Sequence, residues 1–444
     1  MIKVADPRGE GSEPDSSGRA LTILAVLALI AGVVTGLIGG AFRWTLLRAQ
    51  DLRESLLDWA HDLGAVGVIV MMLAVAVCAA VAALIVRFVP RAGGSGIQII
   101  EAVQRDQAEA PRLRVLPAKF FGSLLALGSG LVLGREGPTV HMGAVIGAEA
   151  GRITRRSSAD ITTLQTSLAG AGLAVAFNAP IGGALFVFEE VTRSFHLRTV
   201  VPVTIGVSSA VWTSWALVGT RTDFSTVQLD PPRLDVLPLF LLFGVMTGLL
   251  GAVYNRAVMT SLTTVDRFSR MPREATAAII GLLIGCALFI DPNLAGDGDS
   301  IVQSLLSGTA YAIPIMLLWV VVRFGLGPLS YAAGTPGGLF APILAVGALW
   351  GAIFAGVASW FIPGDPLTIP FAIVGMATFF AATVRAPFTG AVIVLEMTGA
   401  TVLAVPLIIA AGCAVLTASL VRSEPIYDSL RTRMLGGSRP ADAR

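Results

Sequence analysis

A charged pair, Arg135 and Glu136, lies inside a stretch of the chain that is otherwise apolar. The surrounding sequence, LGREGPTV (133–140), adds two glycines and a proline, and strong charge is missing from the apolar residues on both sides. A carboxylate in a low-dielectric setting is costly as an anion and readily takes a proton. Glu136 could therefore occupy the place of an anion and leave it once protonated. The alternative is a structural ion pair with Arg135.

The glycines and the proline of this motif predict the start of a half-helix at residues 135–138. Proline costs little in a first helical turn, because its missing N–H would have no partner there. Glycine allows the backbone to approach closely. The segment GLFAP (338–342) has the same build. Since the N-terminus of a helix attracts anions through free amides and a partial positive charge, two such starts facing each other would form an anion site.

An internal repeat supports this interpretation. GREGPTVHMGAVIG (134–147) aligns without gaps to GLFAPILAVGALWG (338–351), and APIGGALFVFEE (179–190) aligns to APFTGAVIVLEM (386–397). The offsets are 204 and 207 positions, in the same order. Two matched pairs predict two related halves, and Gly/Pro-interrupted segments at matching positions of two halves are typical of a transporter's central site.

Composition indicates an integral membrane protein. The chain of 444 residues is 55% hydrophobic and 14% charged, whereas soluble domains carry about 25% charged residues. With 49 glycines and 24 prolines, it favours an all-α fold with many discontinuous helices in a lipid bilayer. Long apolar runs are predicted at 21–42, 64–86, 201–219, 237–253, 276–290, 312–322 and 401–421, and short or broken apolar pieces at 119–134, 138–148, 164–188, 337–359 and 371–395.

The predicted organisation has three parts. A polar disordered tail (1–20) precedes a transport domain (21–425), whose repeats cover about 21–215 and 235–425, and a short segment (426–444) ends the chain. Arginines and lysines flank the first and last apolar runs, so the positive-inside rule places both termini in the cytoplasm.

Other site classes find little support. A net charge of +2 is too small to indicate a nucleic-acid partner. No cofactor motif is visible, and the cysteines and histidines are too scattered to predict a metal site. These residues are Cys78, Cys286, Cys413, His61, His141 and His196.

Further charged residues lie at apolar positions. Glu189 and Glu190 end the run LFVFEEVTRSF (185–195), either as an interfacial pair near Arg193 or as a proton entry point on the opposite face. Glu101 and Lys119 are interpreted as a buried structural charge pair.

Taken together, these motifs resemble those of the CLC family of chloride channels and proton-coupled chloride antiporters. The family signatures GSGIP, GREGP and GxFxP read GSGIQ (94–98), GREGP (134–138) and GLFAP (338–342) here, and the similarity runs from about 20 to 432. The resemblance implies two inverted all-helical repeats per subunit and a homodimer with one pore per subunit in a bacterial inner membrane. It also implies that the paired cytoplasmic CBS domains of many eukaryotic members are absent.

The resemblance also implies roles for individual residues. Glu136 would be the external gating glutamate, and Glu190 the internal proton-transfer glutamate, which favours an exchanger. Gln98 replaces the family proline, with an expected modest effect on rate or anion preference. The central chloride site would consist of the hydroxyl groups of Ser95 and Tyr427 and the backbone amides of Leu339 and Phe340, with Arg135 and Gly137 contributing amides from the first repeat.

The predicted function is therefore a secondary-active H+/Cl− antiporter that uses no ATP and is not an enzyme. An uncoupled chloride channel of the voltage-gated type, or an exchanger preferring fluoride or nitrate, is the alternative. A membrane enzyme with Glu136 and Glu190 as acid and base is disfavoured, because no nucleophile–histidine pair, metal cluster or phosphate loop accompanies them.

Overall fold

The chain forms α-helices joined by turns and short loops. The structure, a computed structural model, describes residues 14–267, 270–361 and 367–436. The first eight helices are α1 (Pro14–Asp62), α2 (Ala65–Phe88), α3 (Ile97–Gln104), α4 (Val115–Gly128), α5 (Glu136–Ile153), α6 (Ser158–Phe177), α7 (Pro180–Phe186) and α8 (Leu197–Val218). A π-helical turn, Val187–Val191, continues α7.

The second half of the chain forms a similar series. It comprises α9 (Leu237–Arg267), α10 (Arg273–Ile290), α11 (Asp299–Leu306), α12 (Ile313–Ala332), α13 (Phe340–Ala358), α14 (Thr368–Val384), α15 (Pro387–Thr398) and α16 (Ala404–Leu420). A final helix, α17 (Ile426–Gly436), follows.

Within the described residues, eight helices are long and apolar enough to cross a membrane: α1, α2, α8, α9, α10, α12, α13 and α16. Seven of them contain the long apolar runs expected from the sequence. The eighth, α13, covers the segment 337–359 that was expected to be short or broken. Because 78% of its apolar stretch is buried inside the protein, α13 is surrounded mainly by other helices.

Helices α1–α8 correspond in order and in packing to α9–α16. Helix α1 packs on α8 as α9 packs on α16, and the pair α5–α6 repeats as α13–α14. Helix α2 packs on its own counterpart α10, and α7 on α15, as expected around a pseudo-two-fold axis. An antiparallel bridge between Gly134 and Gly338 lies between the two halves. The predicted all-helical fold with two inverted repeats is thus confirmed.

The correspondence extends to the short helices that begin inside the protein. Both α3 and α11 have eight residues, and each follows a glycine in the left-handed conformation, Gly96 with φ 93° and Gly298 with φ 97°. Glycine suits these positions because it has no Cβ to oppose a positive φ. The third Gly-rich stretch of the sequence, GGSG (93–96), is therefore a helix entry with a counterpart in the second repeat.

The N-terminal end of the chain differs from expectation. Helix α1 already begins at Pro14, so the disordered tail predicted for 1–20 is wrong for residues 14–20, and residues 1–13 lie outside the described part. At the other end, α17 forms the first part of the segment predicted for 426–444. It packs on α3 and buries Tyr427 completely. Residues 437–444 are outside the described part.

Candidate anion and proton site

Two helix starts meet in the middle of the protein. Gly134 and Gly338, directly before α5 and α13, exchange backbone hydrogen bonds with N···O distances of 2.8 and 2.9 Å. The amides of each first turn have no acceptor within their own helix. Pro138 and Pro342 fall in these turns, where a missing N–H removes no helical hydrogen bond. The half-helix starts predicted from the two Gly-to-Pro motifs are confirmed.

The Glu136 side chain reaches the start of α13. Its Oε1 accepts a hydrogen bond of 2.7 Å from the backbone N–H of Phe340, and the residue is fully buried. Its other oxygen, Oε2, has no hydrogen-bond partner in the part of the chain that the structure describes. A carboxylate thus occupies the position to which the amides and the dipole of α13 would attract an anion.

The two glycines before the helices make room for this carboxyl group. A Cβ atom on either Gly134 or Gly338 would overlap the carboxyl oxygens of Glu136. Neither glycine has a positive φ, so the need at both positions is for space rather than for backbone freedom. The glycines of the repeated motif therefore fix where the Glu136 side chain can lie.

Arg135 does not form the structural ion pair considered as the alternative for Glu136. Its guanidinium binds Asp299 at 2.9 Å and Asp223 at 2.8 Å, and its Nε donates to the carbonyl of Ala176 at 3.0 Å. These partners were not predictable from a sequence pattern, because Asp223 lies in a loop after α8 and Asp299 begins the short helix α11. Of the groups of Arg135, its backbone amide is the one predicted to bind the anion, and this stays a prediction.

Ser95 and Tyr427 are buried hydroxyl residues in the same region. Neither hydroxyl oxygen has a hydrogen-bond partner among the described residues, and both side chains are completely buried. Ser95 Oγ lies so close to Gly137 that a Cβ there would stand 2.7 Å away. The Tyr427 hydroxyl is within electrostatic range of both Glu136 and Glu190. Buried polar atoms normally have partners, so these two free hydroxyls fit an anion ligand.

Glu190 lies in the π-helical turn and is 2% exposed. Its carboxyl group is within hydrogen-bonding reach of Glu101, and one oxygen of each has no other partner among the residues the structure covers. The other oxygen of Glu101 accepts a hydrogen bond of 3.0 Å from Arg431. A pair of buried carboxyl groups with one cation is therefore present, although the sequence singled out the two glutamates separately.

The predicted charge pair between Glu101 and Lys119 is wrong. Lys119 donates instead to the carbonyls of Ala92 and Gly94, at 3.1 and 2.5 Å, and so holds the turn before Ser95. The reason is topological. Helix α3 packs against α17, which supplies Arg431 to Glu101, whereas α4 faces the turn at Pro90–Ala92.

An ion-pair cluster, formed by Asp428 with Arg105, Arg193 and Arg431, connects the two glutamates to the surface. Asp428 contacts Arg431 at 2.6 Å, Arg105 at 3.1 Å and Arg193 at 3.4 Å. Partial burial acts to raise the pKa of Asp428, but Arg431 and Arg105 outweigh it and lower that pKa. Because the Arg193 side chain is 54% exposed, the cluster extends from solvent to Glu101.

Glu189 has a different role from either of those considered for it. It accepts a hydrogen bond of 2.7 Å from the backbone N–H of Thr389 at the start of α15. Its counterpart Glu396 accepts one of 2.7 Å from Gly182 at the start of α7. Each repeat thus caps a helix of the other, and Glu189 binds the start of α15, whereas Arg193 pairs with Asp428.

Comparison with known proteins places these features in one family. A family model described as voltage gated chloride channel matches residues 77–419. The H(+)/Cl(-) exchange transporter ClcA of Vibrio cholerae serotype O1 is 38% identical over 422 residues, covering 92% of this chain and 89% of the relative. The ClcA protein of Cronobacter sakazakii is 37% identical over 426 residues, covering 94% and 90%.

Solved structures agree. A slow cyanobacterial Cl−/H+ antiporter superposes with a TM-score of 0.88 at 29% identity, covering 94% of this chain and 98% of its own. A CLC-type fluoride/proton antiporter has the same fold, with a TM-score of 0.77 at 23% identity and coverage of 92% and 97%. The chain described here belongs to the voltage-gated chloride channel (CLC) family.

Proposed function

We propose that this protein is a secondary-active antiporter that moves chloride across the membrane in exchange for protons, without ATP. The observation that carries the proposal is the Glu136 carboxylate bonded to the Phe340 amide at the start of α13. A proton acceptor and an anion site coincide there. The exchange activity named for the 38% identical relative supports the same function.

Coupling follows from competition for one set of donors. While Glu136 is ionised, it holds the Phe340 N–H in a charge-assisted hydrogen bond. Protonation removes the negative charge, weakens this bond and frees the side chain to leave. Chloride then takes the vacated amide of Phe340, together with the amide of Leu339 beside it. The carboxylate and chloride exclude each other. Chloride therefore binds only after Glu136 has taken up a proton, and this requirement couples the movement of the two ions.

The remaining anion ligands are neutral, which suits transport. The hydroxyl groups of Ser95 and Tyr427 are available to donate, and the start of α5 adds the amides of Arg135 and Gly137. Neutral donors bind an anion strongly enough for entry and weakly enough for release. The Arg135 side chain is neutralised by two aspartates and so does not trap the anion.

Glu190 transfers protons between Glu136 and the cytoplasm in this proposal. It is buried beside Glu101, and two carboxyl groups in contact favour sharing one proton over carrying two charges. The Tyr427 hydroxyl is within electrostatic range of both Glu190 and Glu136 and so lies between the two glutamates in this proposal. The ion-pair cluster at Asp428 provides the connection to solvent.

We further propose that the protein is a homodimer with one pore per subunit in a bacterial inner membrane, with both termini in the cytoplasm. Ile181 on α7 and Phe388 on α15 support the dimer, because these residues are equivalent in the two repeats. They are 61% and 57% exposed and lie on helices that pack against each other. Cross-linking of cysteines placed at 181 or 388 should give a covalent dimer in membranes, and a purely monomeric product would refute it.

Flux measurements on the purified protein in liposomes test the function. A chloride gradient should drive protons uphill, whereas chloride movement without proton flux would indicate a channel and absence of any anion flux would refute transport. Glu136→Ala should retain chloride flux and lose proton coupling. Glu54→Gln, a change at an exposed glutamate on α1, is the matched control and should preserve coupling.

A further inference from the structure

Tyr331, near the end of α12, contacts the loop that presents Ser95. Its hydroxyl oxygen accepts a hydrogen bond of 3.4 Å from the backbone N–H of Ser95, and the residue is 4% exposed. A tyrosine of the second repeat thus lies beside a residue of the first repeat whose own hydroxyl has no partner.

Gln98 contacts the same hydroxyl. Its side-chain amide is within hydrogen-bonding reach of Tyr331 Oη. Both groups pack over Gly94, where a Cβ atom would stand 3.1 Å from Tyr331 Oη and 3.4 Å from Gln98 Nε2. Gly94 has a φ of 61°, a conformation that favours glycine. The missing side chain of Gly94 also leaves the space that Tyr331 and Gln98 share.

The proton of the Tyr331 hydroxyl has no acceptor in the described part of the chain. The oxygen accepts from the Ser95 N–H and lies on the same side of Gly94 as Gln98 Nε2, which leaves the hydroxyl hydrogen free for another acceptor. The hydroxyls of Tyr331 and Tyr427 are within electrostatic range of each other. Three buried hydroxyl groups with a proton to donate therefore lie in the region of Ser95, where two would be expected from the family signatures.

We propose that Tyr331 is a third hydroxyl ligand of the transported anion and that Gln98 orients it. The proposal rests on the anion-transport function above and extends it to specificity. Proline, the family residue at position 98, has no side-chain amide. Glutamine at this position can therefore orient the Tyr331 hydroxyl, whereas proline cannot. Hydroxyl donors stabilise a small anion such as chloride more than a large, weakly accepting one such as thiocyanate, because the hydrogen bonds to chloride are stronger.

Tyr331→Phe tests the ligand itself, because it removes the hydroxyl and keeps the ring. Chloride affinity measured by titration calorimetry on the purified protein should fall about tenfold, the size expected for a hydrogen bond to an ion. Thiocyanate affinity should fall less, so the chloride-to-thiocyanate ratio should drop. Tyr254→Phe is the matched control, since Tyr254 is also buried with an unpartnered hydroxyl but lies against Gly327. It should leave the ratio unchanged.

Gln98→Leu tests the orienting role. Alone it should lower chloride affinity and the same ratio, by less than Tyr331→Phe, and in the Tyr331→Phe background it should have no further effect. Losses that add in the double variant would refute the link between the two residues. If Tyr331→Phe fails to fold, the ratio in Gln98→Leu alone decides the proposal.

Two outcomes would overturn the proposal while leaving the transport function intact. One is an unchanged ratio and chloride affinity in Tyr331→Phe, when the parent protein transports chloride normally. The other is a lower melting temperature with an unchanged ratio, which would assign the contact to folding. Failure of the parent protein itself to bind and move chloride would refute the transport function instead.

Discussion

Glu136 and Phe340 occupy equivalent positions of the two repeats, and the backbone amide of Phe340 donates a 2.7 Å hydrogen bond to the carboxylate of Glu136. The bond makes the site asymmetric within a symmetric frame. The Phe340 ring packs between Phe177 and Phe380, with centroid distances of 4.9 and 4.1 Å. One repeat thus supplies the movable charged group, and the other supplies a fixed amide.

Gly338→Ala should loosen the gate. The added methyl group would overlap Oε1 of Glu136, so the carboxylate could no longer rest on the Phe340 amide. We expect chloride flux to continue with at least a severalfold lower number of protons moved per chloride, measured together in liposomes. Gly325→Ala, a helical site with no atom within 4 Å of the new Cβ, is the control. An unaltered coupling ratio in Gly338→Ala would contradict the assigned geometry.

Chloride flux should increase as the pH falls, because Glu136 leaves the α13 amides only in its protonated form. A single-proton step sets an upper limit of about tenfold per pH unit. Glu136→Gln carries no ionisable group at this position and should lose most of this dependence. Chloride efflux from liposomes over a series of pH values measures both. A steep pH profile that survives in Glu136→Gln would place the controlling proton on another group.

Glu190→Gln should reduce proton flux without a matching loss of chloride flux. Proton flux should fall by about an order of magnitude, while chloride flux persists, since Glu190 lies in the π-helical turn after α7 rather than at the start of α13. Glu189→Gln is the neighbouring control and should keep coupling. It weakens the cap of α15, so its melting temperature should decrease by the equivalent of about 1–2 kcal/mol. Equal loss of coupling in both variants would contradict the separate roles of these adjacent glutamates.

Arg431→Met should destabilise the protein by leaving the buried Glu101 carboxylate without its cation, at a cost of about 3–5 kcal/mol. Adding Glu101→Gln should restore much of the melting temperature measured in detergent. Arg433→Met is the comparison, because its partner Asp266 is 62% exposed and such pairs contribute about 1 kcal/mol or less. No difference in melting temperature between the two arginine variants would argue against the Glu101–Arg431 pair.

The parts of the site that the sequence predicted correctly depend on local signals. Gly134 and Pro138 predict a helix start from local sequence alone, and the recurrence of this pattern at 338 and 342 indicates two equivalent starts. The inverted arrangement followed from the resemblance, and the long apolar runs marked seven of the eight candidate spans in the described residues.

The incorrect or missing parts depend on tertiary packing. A buried charge such as Glu101 requires a partner, but the sequence does not say which of many arginines will be adjacent. Asp223 and Asp299 come from a loop and a short helix start with no periodic pattern, so their pairing with Arg135 was not predictable. The roles of Glu189 and Glu396 as reciprocal caps became clear only once α7 and α15 were seen to pack together.

The packing of α7 on α15 also constrains how the protein is made. The amide of Gly182 receives its acceptor from Glu396, which is 214 residues further along the chain. While the second repeat is still being synthesised, the first therefore lacks the native acceptor of that amide and the packing of α10 on α2. Because both repeats belong to a single polypeptide, the second repeat follows the first into the same membrane, and the incomplete first repeat exists only briefly.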